Sequence, residues 1–388
     1  MLCCEIMAAI MVKAIEDCGL NSLGCMAHTL QLAVHDGVLS QRSISDCMAI
    51  GRKIVWHFKH SHLAMSRLGE IQTELGLSKK MLQQDTPTRW NSTFYMMSSL
   101  LAQKRALSAY GAEFELPASF SAYQWGLIEN AVTLLAPFEE LTREISSHTA
   151  TDSDVIPSVE ALKRLLNKSL STDRGVKTTK ATLLEAVKQR FNGIYTKPLY
   201  FLATILDPRY NDRFFDQATK QRVTEMLLRQ LNKMTELENS TEKERNETEP
   251  PLKKTCTKSD GGATSLLDMY GAILEENMAT EHQTHQTSPV GQQVNAYLSE
   301  PPISRSESPL QFWKSNMSHF PALAQAARKY LSAPCTSVDS ERLFSAASNV
   351  IDEKRNRLMC EKAEMLLFIK KKHPTLTFTD EVARQSCF

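Results

Sequence analysis

Apolar residues along most of this chain recur at steps of three and four, the spacing that lays them on one face of a helix. In AHTLQLAVHDGVL, residues 27–39, Leu30, Val34 and Val38 fall four apart, and Gly37 stands near an expected helix end. The same spacing predicts one long amphipathic helix over 43–78, with a basic, histidine-containing middle made by Lys53, His57, Lys59, His60 and His62. Further helices are expected over 88–110, 122–146, 156–169 and 180–195. Strand signals are few: NSLGC at 21–25 is the best, and Tyr200–Leu206 reads as strand or helix. Near residue 235 the periodicity stops, and TELENSTEKERNETEPPLKKTCTKSDGG gains charge, proline and glycine, the composition of a solvated linker. A short helical piece, SLLDMYGAILEEN, precedes a second polar stretch, and helical spacing resumes near Val294 and runs to Lys372. The expected architecture is mainly α: a helical body, a flexible tether, and a C-terminal helical segment.

Composition changes this picture little. The 388 residues are 42% hydrophobic and 23% charged with a formal net charge of +1, so no bulk excess of charge points to a polyanion, although a local basic patch stays open. Nine cysteines at irregular spacing fit reduced thiols in a nuclear or cytosolic protein better than a secreted disulfide framework. The apolar opening, MLCCEIMAAIMVKAIEDC, is interrupted by Lys13 and Glu16 and is too short to span a bilayer, and no later run is long enough. No membrane partner is expected.

Candidate chemistry is sparse. Cys25-Met-Ala-His28 has a gap that lets a thiolate and an imidazole meet one metal ion, but no second pair lies nearby with suitable spacing, and a packed cysteine beside a hydrogen-bonded histidine is the plain reading. His57, His60 and His62 read as an exposed polar face. With no Gly-rich phosphate loop, GxSxG elbow or HExxH, nucleophilic catalysis, nucleotide hydrolysis and a small-molecule substrate have no local support. In Thr88-Arg89-Trp90-Asn91-Ser92, Trp90 offers a π-face for an unpaired base and Arg89 a phosphate contact; a core tryptophan opening a helix is the alternative. The C-terminal block is dense with large apolar residues at helical spacing, among them Trp313, Phe320, Leu343, Phe344, Leu366 and Phe368. They exceed what so short a segment hides alone, which predicts an obligate dimer. Lys354, Arg355 and Arg357 form a basic turn beside them, either solvated or set against DNA phosphate. Glu341 stands beside the apolar face of Leu343, Ala346, Ala347, Val350 and Ile351, either as a solvated acid or as a metal-binding carboxylate on a rigid helix.

LSAPCTSVDSERLFSAASNVIDEKRNRL, with SPLQFWKSNMSHFPALAQAARKY before it and EKAEMLLFIKK after it, resembles the C-terminal dimerisation region of hAT-superfamily transposases and of the BED zinc-finger proteins descended from them. GCMAHTLQLAVHDGVL, DTPTRWNSTFYMMSSLL, LLAPFEELTREISS with VIPSV, and YFLATILDPRY look like landmarks of the same family in the same order. The resemblance implies an RNase H-like core interrupted by a large all-α insertion. On that reading 1–40 is a remnant of the core, 41–234 the insertion, 235–292 a flexible linker with a short helix, 293–375 the dimerisation region that completes the core, and 376–388 a tail. It also implies catalysis by two aspartates and a glutamate holding two divalent metal ions, with Glu341 at the glutamate's place, Trp90 at that of a base-stacking tryptophan, and Cys25 and His28 at a CxxH pair. The register puts Ile6, beside Glu5, where the second aspartate belongs, and the first aspartate and the zinc-holding BED finger are expected to fall ahead of Met1 and to be missing. The expectation is therefore a non-enzymatic, truncated relative without a cofactor of its own. It would be nuclear and associate with itself or with related hAT-derived proteins, with DNA contact secondary. The rivals are a piece of an active metal-dependent transposase and a degenerate copy without function.

Overall fold

The computed structural model describes residues 13–14, 17–18, 23–168, 177–239, 266–276, 288–348, 350–351 and 358–372. Among them the chain is mainly α-helical, and no strand forms. It divides into two compact units, Met1–Cys335 and Thr336–Phe388.

In the first unit, α1 (Met26–Val34) buries Met26, Leu30, Ala33 and Val34 and runs on through a π-helical turn, His35–Leu39. Gly37 lies inside that turn, two residues before its end at Leu39. A Cβ there would sit 2.7 Å from the Leu183 backbone, so glycine allows α8 (Lys177–Arg190) to approach. The expected helix over 43–78 is two helices, α2 (Arg42–His60) and α3 (His62–Glu74). Ser61 separates them: its backbone turns extended, and its hydroxyl accepts from the Ala64 N–H at 3.2 Å, capping α3. The stretch 88–110 likewise divides into α4 (Trp90–Ala102) and α5 (Lys104–Glu113) at Gln103, whose buried side chain accepts from Gln72 at 3.0 Å. A repeated apolar face survives such breaks, because one non-helical residue leaves the stripe nearly in register. This is why periodicity alone joined the pairs.

Next come α6 (Ala122–Ile145), α7 (Val155–Asn167), α9 (Pro198–Ile205) and α10 (Gln217–Asn239). Tyr200–Leu206 is therefore helical up to Ile205, buried on every side. Of the proposed strand NSLGC, positions 23–25 are described, and they are irregular backbone leading to Cys25, the residue before α1. The short helix expected within the tether, α11 (Leu266–Glu276), packs on α7 and buries Leu266, Met269, Tyr270 and Ile273. The Tyr270 hydroxyl donates to Ser158 at 2.7 Å, and Arg305 lies 3.6 Å above the Tyr270 ring. The rest of the proposed linker lies outside the described residues.

The main polar feature of this unit is a buried knot. The 3₁₀ turn Asp152–Asp154 meets the LDPRY turn that follows α9. Arg209 reaches Asp207 at 2.7 Å and Asp154 at 3.0 Å, Ser153 donates to Asp207 at 2.6 Å, and the Tyr210 hydroxyl donates to Asp154 at 2.5 Å. Burial pushes the Asp207 carboxyl up, while the Arg209 guanidinium on the same oxygens pulls it down. Buried charges persist only when satisfied in this way.

The knot also anchors the next stretch of chain, α12 (Pro289–Ser299), α13 (Pro309–Ser315) and α14 (Pro321–Tyr330). The Tyr297 hydroxyl donates to the Ile205 carbonyl at 3.0 Å, and the Trp313 Nε1–H to the Leu206 carbonyl at 2.8 Å. These are carbonyls that the end of α9 leaves without helical partners. Beyond α14, Asp152 donates to Ala333 and Met26 to Cys335 through their backbone N–H groups, at 3.0 and 2.9 Å. A sequence boundary at 293 thus falls within one compact body.

Candidate functional site

The second unit carries several exposed apolar side chains close together in sequence. Within it, α15 (Val338–Ser348) has Asp339 and Glu341 in its first turn and buries none of its residues. It packs against α16 (Cys360–Lys372), where Ala363 is buried and Leu366 and Leu367 are half-buried. Between the two helices a cleft of about 440 Å³ is lined by Leu343, Ile351, Leu358, Ala363, Leu367 and Phe368, with Cys360 and Glu364 at its edge. Side chains in and beside it are exposed. Phe344 is 70% exposed, Met365 66% and Phe368 62%. Contiguous apolar surface of this kind marks an interaction face. Covering one such side chain is worth about 1.5–3 kcal/mol.

The predicted dimerisation residues therefore separate into two groups. Leu343, Phe344, Leu366 and Phe368 belong to this face. Trp313 and Phe320 do not: both are buried in the first unit, where Trp313 stacks near Tyr297 with ring centroids 4.9 Å apart. Their place as interface residues is corrected by the hydrogen bond that holds the Trp313 indole against α9.

Glu341 is exposed, and its carboxylate accepts from the Ser337 hydroxyl at 2.7 Å, across the start of its own helix. A negative charge in a first turn is favoured by the helix dipole, and this is what the geometry gives Glu341 to do. Asp339 pairs with Arg342 at 3.3 Å on the surface, worth about 0–1 kcal/mol. The two-metal centre that the resemblance implies needs further carboxylates around Glu341. Among the described residues no group of three His, Cys, Asp or Glu side chains converges, so these residues do not fit it. Glu5 and Ile6 lie outside the described residues.

The other sequence candidates are scattered. Trp90 is buried; its backbone N–H donates to the Gln31 side chain at 3.0 Å and its ring meets Phe94 edge-on at 6.2 Å. It is a core residue, and its face is closed to a base. Arg89, just before α4, is exposed. Cys25 is half-buried and its carbonyl accepts from the Thr29 hydroxyl at 3.0 Å, while His28 is exposed. Lys354, Arg355 and Arg357 lie outside the described residues. Sequence reasoning missed Ile351, Leu358 and Ala363 as lining of the cleft, although all three are apolar positions near the residues it chose. No helix among the described residues is long and apolar enough to cross a membrane.

Comparison with known proteins places this face within a recognised region. Residues 293–372 match the hAT family C-terminal dimerisation region, and residues 23–134 match the ZBED1 RNase-like helical domain. The chain is 30% identical to human zinc finger BED domain-containing protein 4 over 94% of its own length and 30% of that protein's. It is 28% identical to human zinc finger BED domain-containing protein 6, covering 92% of this chain and 38% of the relative. A putative AC transposase of Zea mays is 26% identical, over 89% of this chain and 43% of the relative. The chain thus spans between 30% and 43% of the length of these three relatives.

Proposed function

We propose that this chain, a relative of BED zinc-finger proteins and hAT transposases that carries their C-terminal dimerisation region, works by protein association and not by cutting or joining DNA. The C-terminal unit pairs with a second copy or with a related hAT-derived chain, in nuclear assemblies on DNA. One observation carries this reading: α15 and α16 leave Phe344, Met365 and Phe368 in water around an apolar cleft, inside the matched region. A pair of helices that leaves large apolar side chains exposed gains most from a second apolar surface, and a self-complementary patch closes most simply with two-fold symmetry. The absence of strand chemistry is part of the proposal. It is supported by a Glu341 engaged with Ser337 at its own helix start.

Light scattering on the full chain across micromolar concentrations tests it. The expected result is twice the chain mass, falling towards one chain mass in a variant carrying Phe344→Asp and Phe368→Asp. A monomer in the unaltered chain, without a related partner present, would leave only the heteromeric form of the proposal, and failure of the related chains to bind would end that as well.

A further inference from the structure

Trp56 stands on the outward face of α2 and is 60% exposed, whereas the chain's other three tryptophans, Trp90, Trp125 and Trp313, are buried. The core face of α2 is made by Ile54, Val55 and Phe58, so nothing in its own helix packing places an indole in water. The ring is also held in position. His60, one turn on, stacks on it with centroids 4.5 Å and planes 24° apart, and the His60 Nδ1–H donates to the Trp56 carbonyl at 2.9 Å.

On α2 itself the charged side chains nearest this stack have one sign. Lys53 and Lys59 are exposed about one turn to either side, and His62 follows beyond the Ser61 break. Arg52 does not contribute, because it is drawn into a 2.8 Å ion pair with the buried Asp85. The single acid of α2 is Asp46, ten residues before Trp56, about 15 Å along the axis. A pre-positioned aromatic platform flanked by lysines matches the two needs of an unpaired polynucleotide, a π-surface for a base and cations for the phosphates. A duplex hides its base faces, and an acidic polypeptide would use the lysines but leave the indole idle.

We propose that this face of α2 binds single-stranded nucleic acid, with a base stacked on Trp56 and the adjoining phosphates held by Lys53 and Lys59. The site is separate from the C-terminal unit and does not depend on pairing there. Because Trp56 is the exposed tryptophan, the protein's own fluorescence reports on it. A dT oligonucleotide of about 12 nucleotides, titrated into the full chain at low salt, is expected to quench that emission. Trp56→Ala should remove the quenching and weaken binding about tenfold or more, and Trp56→Phe should keep part of the affinity. Lys53→Glu with Lys59→Glu should weaken binding and reduce its salt dependence. Unchanged binding by Trp56→Ala would overturn the proposal. So would equal affinity for heparin, polyglutamate or a paired duplex, since none of these offers a free base. The altered residues lie on the surface, so an unchanged melting temperature establishes that each variant is folded.

Discussion

Two halves of one matched region, 293–335 and 336–372, carry similar amounts of apolar side chain and meet opposite fates. In the first, Tyr297, Trp313, Phe320 and Leu323 are buried; in the second, Phe344, Met365 and Phe368 face water. Hydrophobicity does not separate them. What differs is polar attachment: Tyr297 and Trp313 each spend a hydrogen-bond donor on a carbonyl at the end of α9, so the aromatic ring and its polar atom are satisfied together. The aromatic residues of α15 and α16 are phenylalanines, Phe344 and Phe368, whose rings carry no hydrogen-bond donor. In the second half the large apolar residues that carry no such polar atom stand exposed.

The largest effect expected from this contrast is at Trp313. Trp313→Ala leaves a cavity and an unpaired Leu206 carbonyl and should cost about 3–5 kcal/mol of stability, read by urea denaturation. If it instead changed only the oligomeric mass, the division between the halves would be misplaced. Next is Asp152, at the seam where Asp152 and Ala333 share a backbone hydrogen bond. Burial, then the neighbouring Asp154, pushes its carboxyl up to about 7 from a usual value near 3.8. The folded state therefore keeps a proton that the unfolded chain has released, and stability falls as pH rises between about 4 and 7. Asp152→Asn should match the unaltered protein at pH 4 and exceed it at pH 8, by at most about 4 kcal/mol. Equal denaturation midpoints at both pH values would contradict this.

In the exposed half, Phe344→Asp should weaken association roughly 10- to 100-fold, in line with the loss of one buried aromatic, and leave the melting temperature of the first unit in place. Sedimentation equilibrium separates the two outcomes; a fall in melting temperature with unchanged mass would mean that Phe344 supports the fold. The smallest effect belongs to Glu341→Ala. No change is expected in any Mg²⁺- or Mn²⁺-dependent nicking of DNA, and loss of a specific activity on that substitution would restore the enzymatic reading.

Much of this was legible in the sequence. Helix spacing locates most of the body, and the surplus of apolar residues after Val294 reads as a last segment that needs cover. Spacing could not say what covers it, because a core-facing and a partner-facing stripe have the same period. Trp313 and Phe320 therefore read the same as Phe344 and Phe368 in sequence, although both are buried in the first unit. Trp90 shows the same limit: an indole opening a helix reads alike whether its face is open or closed, and only the packing around Phe94 and Gln31 decides it. Trp56 could have been placed outside, since on the helical wheel it falls on the side away from Ile54, Val55 and Phe58.

Hydrogen–deuterium exchange of the full chain at low and high concentration compares the two halves most directly. The account predicts that backbone amides of α15 and α16 become slower to exchange as concentration rises, while those of α12 to α14 stay slow throughout. Exchange in α15 and α16 that is indifferent to concentration and to added related chains would contradict it.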